Sequence, residues 1–262
     1  MDIMLKDRLI AIVLTYNEAE HITACLETLR FAEARLVVDS GSTDATLSLA
    51  QATGAEVMVR SFDNYTGQRN AALDAVKERA EWVLFVDADE RVSPALAAEI
   101  EQAMTQPAYA GWQIPRHNYL FGVLTQGAGW YPDYQTRLLR VGAAHYDPLR
   151  QVHEVVLLEG PLGTLQEPFI HYNYKDLAHF RAKQNKYLKY DAKMLYEQGI
   201  TPKFYTYLTQ PIHHFWWRFV TLKGYTDGWH GLRLSLLMAW YEGRKYWHLR
   251  QLRHEKGSEG VH

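Results

Sequence analysis

The sequence predicts an α/β protein with a mainly parallel central sheet and a C-terminal α-helical extension. Through residue 92, apolar runs alternate with stretches of helical period. Three of those runs end in polar clusters, as strands do when their carboxyl ends face a ligand. Beyond residue 175 the strand pattern gives way to aromatic, basic stretches.

"RLIAIVLTYN" is the first strand, a continuous apolar run suited to a parallel strand covered on both faces. Asn17 and Glu20 then read as a capping box, opening a helix that buries Ile22, Cys25, Leu26 and Leu29. "RLVVDS" is the second strand. "STDATLSLAQATG" follows as a helix capped by Ser42 or Thr43 and stopped at Gly54. "AEVMVR" is the third strand, residues 66–80 a third helix, and "WVLFVDAD" the fourth strand. Repeated β-α units with fully apolar strands imply a parallel sheet. Next come a helix over 94–104, a strand "YAGWQIPRH", and an aromatic, glycine-rich loop over 118–132. "QTRLLRV" and "PFIHYNY" are the last strand candidates. A helix over 176–198 carries Leu177, Phe180, Tyr187, Leu188, Met194 and Leu195 on one face, before two aromatic segments at 203–222 and 228–251.

The composition, 47% hydrophobic and 22% charged, is that of a folded globular chain, and 262 residues suffice for one large core. A net charge of -2 offers no case for nucleic acid as a partner. One cysteine, Cys25, excludes a disulfide framework and a thiolate metal cluster, and fits a reducing compartment. "LIAIVL" is short for a signal-peptide core, and no run approaches the ~18 apolar residues of a transmembrane helix. Without a secretory signal, the acceptor pattern Asn64-Tyr65-Thr66 reads as chance. Five tryptophans lie beyond residue 200, and residues 203–256 carry nine Lys/Arg against three Asp/Glu. The chain is electrically two-sided.

The polar clusters run from Thr15 to Glu18, Asp39 to Asp44 and Asp87 to Glu90. Three converging at one sheet edge argue for a ligand over a solvated turn. Asp87-Ala88-Asp89 sets two carboxylates one residue apart, a pattern that holds Mg²⁺ or Mn²⁺ shared with substrate phosphates. Such an ion neutralises a departing diphosphate. Neither GxGxxG nor GxxxxGK[ST] occurs, so a metal takes the place of a phosphate loop.

With "VLTYNEAEHI", "VVDSGSTDAT" and "QRNAAL", the "FVDADERV" stretch resembles the family 2 glycosyltransferases over residues 8–175. The resemblance implies the Rossmann-like GT-A fold. It divides the chain into a catalytic domain over 1–175, with a nucleotide-sugar half at 1–92 and an acceptor half at 93–175, and an extension over 176–262. It also implies that Thr15, Tyr16, Asn17 and Glu18 flank the nucleotide and that Asp39 binds uracil or ribose. Asp44 and the Gly41-Ser42 turn would shape the same pocket. Arg69, where many relatives have Lys, would approach base or diphosphate; the alternative is a surface residue pairing with Asp74 or Glu78. Asp87, with Ala88 beside it, would contact ribose or metal. Asp89 would be the principal metal ligand and His171 a further one.

On the acceptor side, "WYPDYQTRLLRVG" falls where the family carries an acid-Asp pair, with Pro132 replacing the first acid. Asp133 is thus the candidate base for an inverting transfer, which needs a carboxylate to take the acceptor hydroxyl's proton. Glu154 of "VHE" is the rival. Trp130, Tyr131, Arg137 and His153 are the expected acceptor contacts. "FVTLKGYTDGWHGLRLSLLMAWYE", with "QNKYLKYDA", resembles the lipopolysaccharide-core β-1,4-glucosyltransferase branch. That branch implies a UDP-sugar donor, most simply UDP-glucose, and a lipid-linked saccharide acceptor at the cytoplasmic face of a membrane.

The tail has its own physical reading. Phe215, Trp216 and Phe219, bordered by Arg218 and Lys223, form one apolar stripe. Leu232, Leu236, Ala239, Trp240 and Trp247, bordered by Arg233, Arg244 and Lys245, form another. Basic aromatic helices of this kind lie in membrane interfaces, and the alternative is a cap on the catalytic domain. Three other functions compete. A haloacid-dehalogenase-like phosphatase needs Thr or Val where Arg91 stands, and a sugar nucleotidyltransferase needs a glycine-rich basic loop after the first strand. A non-catalytic UDP-sugar sensor would need no base.

Overall fold

The computed structural model describes residues 7–148 and 155–259, with side chains through residue 255. The chain packs as two compact units, Met1–Arg116 with Tyr134–His171, and His117–Asp133 with Tyr172–His262. Residues 117–133, placed by the sequence in the acceptor half, thus pack with the C-terminal helices.

The first unit begins β1 (Asp7–Thr15), α1 (Ile22–Glu27), β2 (Ala34–Asp39), α2 (Thr46–Ala52), β3 (Glu56–Val59), α3 (Tyr65–Val76) and β4 (Ala80–Asp87). There follow β5 (Glu90–Arg91), α4 (Pro94–Ala103) and β6 (Gly111–Ile114); β7 (Arg116–Leu120) and β8 (Val123–Thr125) belong to the second unit apart from Arg116, and the first resumes at β9 (Gln135–Arg140). Short strands β10 (Ala144–Tyr146), β11 (Val156–Leu158) and β12 (Leu162–Thr164) lead to β13 (Phe169–Tyr174).

One sheet of seven strands runs β12-β6-β9-β4-β1-β2-β3. Only β9 opposes its neighbours β4 and β6; the other pairings are parallel. The continuous apolar runs have the cause the sequence predicts, since both faces are covered. Leu9, Ala11 and Val13 pack with Ile22, Cys25 and Leu26 on one face. Ile10 and Ile12 pack with Ala72, Val76 and Phe85 on the other. Each such large aliphatic side chain contributes about 1.5–3 kcal/mol on full burial. The register Thr15↔Asp39 and Leu14↔Asp87 brings the three polar clusters to one edge.

Several local signals act differently from their prediction. Helix α1 starts after His21 with no side-chain cap, so Asn17 and Glu20 form no capping box. Helix α2 starts after Ala45, and neither Ser42 nor Thr43 caps it. Helix α3 is capped by Asn64, whose side chain accepts from Gly67 N at 2.7 Å, and ends at Val76, short of 80. "YAGWQIPRH" is two strands because Pro115, with no N–H to donate, interrupts the ladder. The predicted loop begins as a hairpin: Asn118 pairs with Thr125 and Leu120 with Val123, around a Phe121-Gly122 turn with positive φ at both residues.

The second unit is built on α5 (Leu177–Glu197), α6 (Thr206–Trp216) and α7 (Gly228–Glu259). Asp176 caps α5, accepting from His179 N at 2.8 Å. The buried stripe of α5 is Phe180, Gln184, Leu188 and Ala192, whereas Tyr187 and Met194 of the predicted face are exposed. Phe180 and Leu188 pack with Leu120, Tyr174, Leu234 and Tyr241. Helix α6 runs on into a π turn, Trp217–Thr221, and a 3-10 turn, Gly224–Asp227, before α7. The chain reverses there: Tyr207 meets the Trp247 ring at 5.2 Å, and His214 comes within 3.8 Å of Glu242. Gly231 makes the reversal possible, because a Cβ there would lie 1.8 Å from Gly224 O.

Candidate active site

Two loops at the ends of adjacent parallel strands brace one another. Asn17 sits at φ 56°, and its Oδ1 accepts from Thr43 N at 2.9 Å. In return Asn17 N donates to Ser42 Oγ at 2.8 Å, Glu18 N to Thr46 Oγ1 at 2.8 Å, and Ala19 N to Asp44 Oδ2 at 3.2 Å. Asp44 also accepts from Thr46, and those bonds hold its carboxyl below the usual range. Asp39 is fully buried. It accepts from Thr15 Oγ1 and Ser42 Oγ on one oxygen and from Gly41 N and Ser42 N on the other. Its carboxyl oxygens therefore hold the Gly41-Ser42 turn. Tyr16 stands exposed beside it.

The three acids of "DADER" have three different fates. Asp87 forms an ion pair with Arg137 through Oδ2 and lies 3.5 Å from Arg69 through Oδ1. Burial alone would push its carboxyl up; Arg137, then Arg69 and Arg116, outweigh that and hold it well below the usual range. Glu90 is entirely buried. Its Oε2 accepts from Asp87 N at 2.9 Å, and its Oε1 lies 3.3 Å from Arg116 and 3.8 Å from Arg137. Burial and the nearby Asp87 raise the Glu90 carboxyl against the pull of the arginines. Asp89 faces His171 instead, Oδ2 to Nε2 3.3 Å. The β5–β13 pairing, His171 opposite Glu90, is what delivers that histidine. Ala88 is buried between the two aspartates.

"QRNAAL" is a framework motif as well as a site motif. Arg69 is buried and stacks over Phe85 and Tyr146 at 5.1 and 5.5 Å, so it is not the surface partner of Asp74 or Glu78. Gln68 Nε2 holds the carbonyls of Arg60 and Ser61, and Asn70 exchanges two hydrogen bonds with the Tyr146 backbone. Arg137, predicted among the acceptor contacts, points inward from β9 onto Asp87 and Glu90. Periodicity gives no sign of this, because "QTRLLR" reads the same whether its arginine is rim or core. Arg116 is the residue that sequence reasoning missed, while Glu90, Gln68 and Asn70 fall within the cluster and motif it marked but were given no role of their own. The adjacency of Glu90 to the aspartates was the available signal.

In the second unit, Asn118 Nδ2 donates to Trp130 O at 2.8 Å and Asp133 Oδ2 at 3.3 Å, tying both ends of the "WYPD" segment. Tyr131 packs on His117 at 5.0 Å, and the Tyr131-Pro132 bond is cis. Arg218 lies over the Trp130 ring at 5.7 Å. Glu154 and His153 lie outside the described residues.

Among the described residues no group of three or more His, Cys, Asp or Glu side chains is arranged to hold a metal ion. Asp89 and His171 nevertheless offer a carboxylate and an imidazole beside each other. The carboxylate suits a divalent cation that takes its remaining ligands from substrate phosphates and water, and the imidazole, a borderline nitrogen ligand, suits Mn²⁺ better than Mg²⁺.

A mostly parallel sheet whose braced loops and acidic turn gather at one edge has the architecture of the GT-A fold class. The sequence matches the family described as Glycosyl transferase family 2 over residues 10–145, and the chain belongs to it. It is 30% identical over 216 residues to the lipopolysaccharide core biosynthesis glycosyltransferase LpsC of Rhizobium meliloti (strain 1021), covering 78% of this chain and 77% of that one. An uncharacterized glycosyltransferase of Rickettsia bellii (strain RML369-C) is 28% identical over 268 residues, covering 96% and 89%. Among solved structures, the mannosyltransferase PcManGT from Pyrobaculum calidifontis, in complex with GDP-Man and Mn²⁺, superposes with a TM-score of 0.51. It is 13% identical and the match covers 94% of this chain and 88% of that one, which places the fold in the GT-A class.

Proposed function

We propose that this glycosyltransferase is inverting and metal-dependent, moving a sugar, foremost glucose, from a UDP-sugar to a lipid-linked saccharide such as lipopolysaccharide inner core. The observation that carries the reading is the meeting of the Thr15–Glu18 loop, the Asp39–Asp44 loop and the Asp87-Ala88-Asp89 turn at one sheet edge. The acceptor class is supported by LpsC, whose name assigns it to lipopolysaccharide core biosynthesis. Other cell-envelope glycans or polyprenyl-linked saccharides are the next acceptors to test.

Thr15, Tyr16, Asn17, Glu18, Asp39, Ser42 and Asp44 form the nucleotide pocket in this reading, and Arg69 and Asp87 face the ribose and diphosphate. Asp89 and His171 hold the Mg²⁺ or Mn²⁺ ion, which supplies charge neutralisation to the leaving diphosphate. PcManGT was solved with Mn²⁺, which supports that cofactor. Asp133 takes the proton from the acceptor hydroxyl. The hydroxyl oxygen bonds to the anomeric carbon as the bond to the diphosphate oxygen breaks on the opposite face, and the anomeric configuration inverts. Trp130 and Tyr131 contact the acceptor in this reading; His153 joins them, with Glu154 as the alternative base.

No helix among the described residues is long and apolar enough to cross a membrane. The second unit instead presents Leu208, Ile212 and Trp216 on α6 and Trp229, Leu236, Trp240 and Trp247 on α7 to solvent. This supports peripheral attachment to the inner face of the cytoplasmic membrane, where a lipid-linked acceptor is found. Calorimetric titration with UDP, UDP-glucose and GDP-mannose, each with Mn²⁺ and with EDTA, tests the donor site. Metal-dependent binding of the uridine ligands alone is the expected result. GDP-mannose binding instead would overturn the donor, and no binding by folded protein would overturn the site.

A further inference from the structure

We infer that Arg137 is a positioning residue for Asp87: it grips that carboxylate from behind the donor edge and is itself anchored by Glu90. The inference rests on the proposed donor site, in which Asp87 faces the ribose and diphosphate.

The geometry is directional. Strand β9 runs against β4 with Leu138 opposite Leu84, so Arg137 sits one residue nearer the carboxyl end of β4. From there its guanidinium bridges Asp87 Oδ2 and Glu90 Oε1. Glu90 has no exposure, and its other oxygen accepts from the Asp87 backbone N–H at 2.9 Å. Side chain and backbone of Asp87 are therefore fixed by two residues that face away from solvent. About a third of the Asp87 side chain stays open (34%), against 6% for Arg137, so the aspartate alone of the three can reach a ligand.

Stability does not account for such an arrangement. A buried ion pair is often no better than apolar residues of the same volume, because desolvation offsets the attraction. What it supplies here is orientation and charge balance. A carboxylate beside a diphosphate repels it, and a guanidinium in contact with that carboxylate cancels most of the repulsion. Both contacts run through one terminal nitrogen of Arg137, Nη2, so the residue serves Asp87 as a buried positive charge held between two acids.

The test is a double-mutant cycle on UDP affinity, measured by calorimetry with Mn²⁺. The variants are R137M, R137K and E90Q, each made in the wild-type and D87N backgrounds, with thermal melting as the folding control. R137M is expected to weaken UDP binding about 10–100-fold, the range typical when support behind a ligand-contacting residue is removed. R137K recovers part of that loss. In the D87N background the same substitutions add less than about 3-fold, since they act through the side chain already altered. If R137M does not fold, R137K and E90Q complete the cycle. Equal losses in both backgrounds, or affinities within about 2-fold of wild type throughout, overturn the inference. D87N alone leaving UDP affinity unchanged is the separate signature of a failed donor-site reading.

Discussion

Asn17 holds a left-handed backbone that most side chains adopt only under strain, and its carboxamide bonds the loop of the neighbouring strand. Asn17→Ala removes the bond and keeps the strain, so a loss of about 1–2 kcal/mol in chemical denaturation is expected. Asn17→Gly relieves the strain and is expected to lose less; an equal loss would mean the backbone conformation contributes nothing. The sequence marked Asn17 as a site residue yet also as half of a capping box, because an Asn followed three residues later by Glu satisfies both patterns. Asp133 is the other residue on which much depends. Asp133→Asn should keep UDP binding while lowering kcat by about 10²–10⁴-fold. If Glu154→Gln does so instead, the base is Glu154. Arg137 shows why roles beyond the motifs were not legible. Whether an arginine in a strand meets water or a buried acid depends on what packs against it, which no spacing encodes.

At the scale of elements, the strands were legible because burial on both faces leaves an uninterrupted apolar run, and β1 to β4 follow the predicted segments closely. The hairpin at β7–β8 was not, since two of its three buried residues, Asn118 and Thr125, are polar and its turn begins with an aromatic residue. Helix α5 was found but its face was rotated, because Gln184 lies within the buried stripe, bonded to Tyr174 Oη at 3.0 Å. The α6–α7 contact holds a titration of its own. Burial, then Arg218, pushes the His214 imidazole down to about 4 from 6.5, while Glu242 opposes them and Lys245 and His213 add a little. Above pH 6.5 both folded and unfolded chains carry it neutral, and its full stability is present. As pH falls from 6.5 through about 4 the unfolded chain takes up the proton first, and that stability is lost. On the order of 2 kcal/mol is at stake, less than the full shift implies because part of the ring meets solvent. Melting temperatures over that pH range should fall less steeply for His214→Gln; an unchanged slope would place the acid sensitivity elsewhere.

The whole molecule carries its charge unevenly, with nine Lys/Arg and three Asp/Glu in residues 203–256 of a chain whose net charge is -2. The apolar exposure lies in the same part. Trp229, Leu236, Trp240 and Trp247 follow one another at seven, four and seven residues, which keeps them on one side of α7. Helix α6 has no Asp, Glu, Lys or Arg, and Leu208, Ile212 and Trp216 recur on it every four. These are not quite the residues that the sequence suggested. Phe215 and Phe219 stack on each other and Ala239 is buried, so the outward stripes include Leu208, Ile212 and Trp229 in their place. Deleting the tail would remove Leu234, Tyr241 and Leu249 from the interior and unfold the second unit, so it is a poor test of surface function. Replacing Trp216, Trp229, Trp240 and Trp247 together by Ser leaves those buried residues in place. With such helices lying flat in an interface, binding draws on apolar contact and on about 1 kcal/mol per Lys or Arg near anionic lipid. Flotation with vesicles containing phosphatidylglycerol should therefore exceed flotation with neutral vesicles, weaken as salt shortens the Debye length, and fall at least about tenfold in the four-Trp variant. A variant that floats as well as wild type, or wild type that ignores lipid charge, would exclude this surface as the membrane contact. Light scattering on the same samples separates the remaining occupant, a second copy of the chain, which like-charge repulsion between two basic tails disfavours.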